Sequence, residues 1–251
     1  MLCWLFCHGC VVQSLPTFLS AIEDFCRRHS LPVLPRGPGF KRALKGLRNI
    51  FEQVDIEAPA VGLTERNLLV LRECLDFSDL LEVRFWCQVL LGFQGLLRAD
   101  EFLRLRAGDL RFMPWGIQVV IPFSKTNLTP TPVGLVTRGD LLCPVAAFAT
   151  LFELMKGTEA STPLFPHSYS KFNSELQRRC KQAGLPAEGI STHSLRRGGC
   201  TALFYAGVPA EAIMAHGRWS SAAWRKYIDF DVRLQQLPTR LVLLHPCGYN
   251  L

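Results

Sequence analysis

Residues 192–199 read "THSLRRGG": a histidine three positions ahead of an arginine, a second arginine, then two glycines. On a helix, His193 and Arg196 project from one face. Gly198 and Gly199 each cost roughly 1 kcal/mol of helix propensity, so they imply that another backbone or a ligand comes close. Thr192 stands where a capping residue would start such a helix. An imidazole and a guanidinium one turn apart suit the grip of a phosphate. A capped surface helix accounts for the same eight residues, and only the rest of the chain separates the two readings.

Downstream, glycine and proline punctuate three short predicted helices at about 193–205, 209–216 and 221–229. Gly207 falls just past the first, and Pro209 takes the first position of the second, an arrangement that also fits a helix-turn-helix. Tyr205 lies on an apolar helix and is expected in the core. Upstream, "LLEVRFWCQVLLGFQGLLRADEFLRL" (80–105) is apolar enough to be the buried heart of a helical domain, with Arg98 at its end and Glu101 three residues later. Thr64 is placed to cap the helix before it.

Around residues 109–137 the period changes to two: "DLRFM", a "PWG" turn, "IQVVIPF", "SKTNLTPT" and "PVGLV". That pattern predicts a three-stranded antiparallel sheet, with Lys125 at the tip of its second connection. "CPVAAFATLFELMKG" and "KFNSELQRRCKQAG" return to helix, the latter ending on a glycine. Near the start, residues 15–30 place Phe18, Leu19, Ile22 and Phe25 at helical spacing. The run "LPVLPRGPG" then breaks the chain, and "FKRALKGLRNIFEQ" forms a second helix. Its basic face, Lys41, Arg42, Lys45 and Arg48, suits either solvent or a phosphate backbone. "DIEAPAVGL" reads as a linker.

Composition narrows the partners. The 251 residues are 49% hydrophobic and 20% charged, ample for a packed core, and the net charge of +7 favours a polyanion, nucleic acid before anionic membrane. No apolar run approaches the roughly 20 residues that cross a bilayer. Of ten cysteines, Cys3, Cys7 and Cys10, with His8, have spacing a metal could use, but no second cluster follows at zinc-finger distance. No metal is expected. The other cysteines are scattered singly and read as reduced core thiols of an intracellular protein.

Five features stand in order: Arg98 beside Glu101, Lys125, His193, Arg196, and Tyr227 closing "AGVPAEAIMAHGRWSSAAWRKYI", 31 residues after Arg196. Together they resemble the tyrosine recombinase (phage integrase) family. The "GRWSS…Y" variant looks most like the recombinases of eukaryotic tyrosine-recombinase transposons. The resemblance covers about residues 64–235 and reaches more weakly back to residue 15. It implies a mainly α fold with a small three-stranded antiparallel sheet. The catalytic domain would span 64–235, preceded by a truncated N-terminal core-binding helical domain at 15–56 and followed by a tail at 236–251.

The resemblance also implies roles. Arg98 and Arg196 would hold the non-bridging oxygens of a scissile phosphate, which suits the planar, permanently charged guanidinium fork. His193 would assist proton transfer, and Lys125 would protonate the departing 5′ oxygen. Tyr227 would attack phosphorus to give a 3′-phosphotyrosyl link, with neither metal, cofactor nor ATP. Most relatives carry His or Trp nine residues before the tyrosine; here Arg218 holds that slot, with Trp219 and His216 close by. Either Arg218 donates to the phosphate or the Trp219 indole does. Double-stranded DNA is the implied partner, with Arg197 and the basic face at 41–48 on its backbone and self-assembly on DNA as dimer to tetramer. No membrane partner is implied, and the location would be intracellular, nuclear in a eukaryote. The alternative is a DNA-binding protein derived from a recombinase and catalytically decayed or domesticated.

Overall fold

The structure is a computed structural model that describes residues 15–33, 37–42, 45–46, 61–122 and 129–228. The chain divides into two units, Met1–Pro59 and Ala60–Leu251. In the first, helix α1 (Leu15–Arg28) follows the expected amphipathic stretch, with Leu19 buried and Phe25 exposed. Residues 38–42 are helical, and Lys41, Arg42 and Lys45 are exposed, whereas Arg48 lies outside the described residues.

The second unit is organised by one helix that is apolar nearly all round. Helix α2 (Glu65–Glu73) starts at Thr64, whose hydroxyl accepts the Asn67 N–H at 3.2 Å while the Asn67 side chain accepts the Thr64 N–H at 2.9 Å. Helix α3 (Leu80–Phe93) is capped by Asp79, which accepts the Leu81 N–H at 2.7 Å. Every residue from Phe85 to Phe93 is buried. A helix with no polar face must be surrounded, and α3 packs against both α5 (Pro144–Leu154) and α7 (Thr192–Tyr205). Between them come the short α4 (Ala99–Phe102) and α6 (Tyr169–Gln182). Arg179 of α6 pairs with Glu82 and with Glu175, the latter at 2.6 Å, and lies over the Phe85 ring at 4.7 Å.

The sheet has the expected form. Strands β1 (Leu110–Met113), β2 (Gly116–Ile121) and β3 (Thr131–Val136) are antiparallel in the order β1-β2-β3, with Val119 opposite both Leu110 and Val133. Ile117, Val119 and Ile121 alternate into the core, and α5 covers β2 and β3. Residues 123–128, including Lys125, lie outside the described residues. Helix α8 (Ala210–Gly217) and a 3-10 helix at Ala222–Tyr227 follow α7. A separate cluster of Leu96, Cys200, Ile213, Trp224 and Ile228 holds these last elements together, with Trp219 and Tyr227 packed against it.

Several expectations need correcting. Ser191, not Thr192, is the N-cap of α7. The Ser191 N–H donates to the Ser194 hydroxyl at 3.1 Å, and the Thr192 N–H is taken by Asn173 of α6 at 3.1 Å. Gly198 and Gly199 make room for backbone, not for a ligand. A Cβ at Gly198 would stand 1.7 Å from the Leu63 carbonyl oxygen, and one at Gly199 would stand 1.8 Å from that of Phe93. The end of the expected linker is thus part of the core: Leu63 is buried, and its N–H donates to the Ser194 carbonyl at 3.0 Å. Tyr205 is 42% exposed rather than in the core, because its α7 face turns outward with Phe204. Pro209 is the N-cap of α8, and the final element is a 3-10 turn ending at Tyr227.

Among the described residues no helix is long and apolar enough to cross a membrane, and no cluster of His, Cys, Asp and Glu suits a metal. Among the described cysteines, Cys87, Cys143, Cys180 and Cys200 are free and buried, as expected of core thiols, whereas Cys74 is exposed and Cys26 half-buried, so those two are not core residues.

Candidate active site

The site begins where α3 ends. The last carbonyls of a helix have no partner within it and carry its partial negative charge, so they attract cationic donors. Here the chain leaves α3 through Gly95 and Leu96, and Leu96 adopts a left-handed φ of 48°. Three successive carbonyls then receive side chains from α7 and the end of α8. The His216 Nε2–H donates to Gln94 O at 2.6 Å, and Arg218 Nη1 donates to Gly95 O at 3.4 Å. Leu96 O accepts from Arg218 Nη2 at 3.1 Å and also from Arg196 Nη1.

Arg98, expected at the end of the apolar helix, is instead the N-cap of α4. Its backbone N–H donates to Glu101 Oε2 at 2.8 Å and its Nη1 to Oε1 at 3.0 Å. Arg218 Nη2 donates to Glu101 Oε2 at 2.7 Å. Burial alone would raise the Glu101 carboxyl pKa, but Arg218, the Arg98 N–H and the charges of Arg98 and Arg196 outweigh it, and the net direction is down. One buried carboxylate therefore pairs with two guanidinium groups and feels the charge of a third, Arg196.

Arg196 is 1% exposed, with Nη2 donating to Gly217 O at 2.7 Å. Burial, then the charges of Arg98 and Arg218, pull its pKa down to about 10, which leaves it charged at neutral pH. The Nε atoms of both Arg196 and Arg218 are buried without a partner. Three guanidinium charges around one carboxylate leave a positive excess, which an anion would offset.

Two aromatic rings close over Arg196: Trp219 at 4.3 Å and Tyr227 at 5.4 Å from the guanidinium carbon to the ring centres. The rings of Trp219 and Tyr227 lie 5.3 Å apart. Gly217 is required here, since a Cβ on it would sit 1.7 Å from the Trp219 ring. The Thr201 hydroxyl donates to the Tyr227 carbonyl at 3.0 Å, tying the 3-10 turn to α7.

Arg98, His193 and Arg196 line one small crevice with Leu97, Ala99 and Thr192. The crevice opens at the first turn of α7, where the helix end is partially positive. Partial burial, then the charges of Arg196, Arg98 and Arg197, hold the His193 pKa below its usual 6.5, so the ring is neutral at pH 7. A larger cavity of about 540 Å³ opens between α7, α8 and β3. Its walls are mainly apolar, among them Leu203, Ala206, Val208 and Ala212, and its cationic member Arg138 is already paired with Glu65 and Asp140, while His216 bonds the Gln94 carbonyl.

His167 and His216 are also held below 6.5, chiefly by burial. All three histidines bind protons less readily folded than unfolded, so the unfolded chain gains protons first as pH falls through this range. Stability therefore rises with pH between the lowered folded values and 6.5, and drops as the medium is acidified below it. Thermal melting should show a lower midpoint at about pH 5.5 than at about pH 7.5, before ordinary carboxylates titrate. An identical midpoint at both would contradict the assignment.

The structure thus brings together Arg98, His193, Arg196, Arg218, Trp219 and Tyr227, with Arg197 half-buried on the same helix. Lys125 and Arg48 lie outside the described residues, and Lys41, Arg42 and Lys45 belong to the first unit. The Gly95–Leu96 turn escaped the sequence reading, because backbone carbonyls leave no residue-type signature. Glu101 was visible only as a partner of Arg98; its bond to Arg218 spans 117 residues.

No protein-family model matches the chain, and no curated protein matches it. Solved structures do. The XerH site-specific recombinase, in its post-cleavage complex with palindromic difH substrate, superposes with a TM-score of 0.58 at 18% identity, over 73% of this chain and 52% of that one. XerA recombinase gives 0.58 at 15% identity, over 92% and 75%. The Tn1549 transposon integrase, in complex with transposon right end DNA, gives 0.54 at 16% identity, over 76% and 68%. The chain spans about half the length of the XerH structure. Its fold is that of tyrosine recombinase catalytic domains.

Proposed function

We propose, taking that fold as premise, that the chain is a tyrosine recombinase that cuts and rejoins DNA through Tyr227. The observation that carries the reading is the meeting of Arg98, His193 and Arg196 in one crevice, with the Tyr227 ring against the Arg196 guanidinium. The solved neighbours of the same fold include recombinases and an integrase bound to DNA. The "GRWSS…Y" pattern further supports an origin in a transposon recombinase.

In this reading a phosphate of double-stranded DNA enters the crevice and takes hydrogen bonds from Arg98 and Arg196, beside the partially positive start of α7. A phenol of pKa about 10 is a weak nucleophile at neutral pH and needs a base. In this reading neutral His193, which lines the crevice, accepts the phenol proton. The Tyr227 oxygen bonds to phosphorus as the P–O5′ bond breaks, and the departing oxygen takes a proton from Lys125. Charge building on the equatorial oxygens is met by fixed guanidinium donors, which favour the transition state over the ground state. The phosphotyrosyl bond keeps the energy of the phosphodiester, so a second 5′ hydroxyl can reverse the step on another strand. Pairing of two duplexes for such exchange requires self-assembly on DNA.

The test is denaturing electrophoresis of the protein with an end-labelled nicked duplex in EDTA. A labelled band at the mass of protein plus DNA is expected. Cleavage without such a band would mean hydrolysis, and binding without cleavage would favour a DNA-binding derivative of a recombinase.

A further inference from the structure

Arg218 occupies an unusual position for its residue type. It is the C-cap of α8, with φ 58° and ψ 40°, a left-handed conformation that glycine adopts far more cheaply. A glycine there would suit the backbone better, so the arginine side chain has a use that offsets the strain.

That use is visible in its contacts. A guanidinium has four terminal N–H groups and one on Nε. Nη1 donates to His216 O at 3.0 Å and to Gly95 O at 3.4 Å. Nη2 donates to Glu101 Oε2 at 2.7 Å and to Leu96 O at 3.1 Å. Each terminal N–H thus has a protein acceptor, and Nε, which has no partner, is buried out of reach of a bound anion. The side chain is 13% exposed. Of its partners, Glu101 also holds Arg98, and Leu96 O also holds Arg196.

Building on the phosphate site proposed above, we propose that Arg218 is a positioning residue and takes no phosphate oxygen. It ties Glu101 to the Gly95–Leu96 turn, and so sets where Arg98 and Arg196 present their remaining donors. The contact with Arg196 passes to Trp219, the residue after the Arg218 turn, whose ring lies 4.3 Å from that guanidinium.

The experiment measures duplex binding by the full chain across potassium chloride concentrations, for wild type, Arg98→Gln and Arg218→Gln. Each phosphate contact contributes about 0.9 to the log–log salt slope. Arg98→Gln should lower the slope by about that amount. Arg218→Gln should leave slope and Kd within twofold of wild type, yet reduce the single-turnover rate of adduct formation at saturating DNA by tenfold or more. A slope lowered by Arg218→Gln as much as by Arg98→Gln would overturn the inference. An unchanged slope for Arg98→Gln would instead sink the phosphate-site reading, and the Arg218 tether would still show as a lowered melting midpoint. Should Arg218→Gln fail to fold, Arg218→Lys decides. An ammonium can grip a phosphate but cannot span all four acceptors, so the tether requires a lower melting midpoint at unchanged slope. A lysine variant that melts like wild type would overturn it.

Discussion

Replacing Tyr227 with phenylalanine is expected to abolish covalent attachment to DNA while leaving duplex affinity within about twofold. One oxygen is removed. The ring keeps its contacts with Trp219, 5.3 Å away, and with the Arg196 guanidinium at 5.4 Å. The Thr201 bond to the Tyr227 carbonyl involves no side-chain atom of residue 227 and also survives. Fold and crevice should therefore persist, and the change falls on chemistry alone. Electrophoretic trapping checks the first half and a binding isotherm the second. Arg196→Ala should behave differently. It removes a donor that the proposed reading assigns to the phosphate and also strips the Leu96 and Gly217 carbonyls of a partner, so affinity, rate and melting temperature should all fall. An adduct that forms undiminished on the phenylalanine protein would place the nucleophile elsewhere.

The second large effect is structural. Gly199→Ala is expected to cost about 3 kcal/mol, the upper part of the usual range for overpacking, because the new methyl would meet the Phe93 carbonyl rather than a side chain that can rotate away. For a unit of this size that lowers the melting midpoint by roughly 6–12 °C. The consequence reaches the site, because α7 must lie this close to α3 for Arg196 to bond the Leu96 carbonyl. Gly139→Ala is the control: nothing stands within 4 Å of its Cβ position, and a change of no more than about 0.5 kcal/mol is expected. Equal midpoints for the two variants would contradict this account of the helix contact.

Much of the fold was legible, for physical reasons. The strongly apolar run at 80–93, whose two charged residues, Glu82 and Arg84, fall near its start, calls for a surrounded helix, and the alternation at 116–121 for a half-buried strand. The site residues were legible one at a time, since arginine, histidine and tyrosine in that order resemble a known chemistry. The means of holding them was not. "HSLRRGG" admits two explanations for its glycines, a nearby backbone or a ligand, and residue type does not choose between them; the neighbours are the Leu63 and Phe93 carbonyls. Tyr205 misled because one helix face in a short apolar stretch does not say which side the core lies on. At "HGRW" the three candidates for one slot could not be separated, because the acceptors that occupy His216 and Arg218 are backbone atoms about 120 residues away.

The central claim is that Tyr227 becomes joined to a DNA 3′ phosphate in the crevice of Arg98, His193 and Arg196. It is tested most directly by trapping the wild-type chain on a nicked duplex from which the short 5′-hydroxyl strand can diffuse away. Nuclease and protease digestion followed by mass spectrometry would then locate the nucleotide-bearing residue. The account predicts a single modified peptide, carrying the nucleotide on Tyr227. A nucleotide found on any other side chain, or cut DNA bearing no peptide at all, would contradict it.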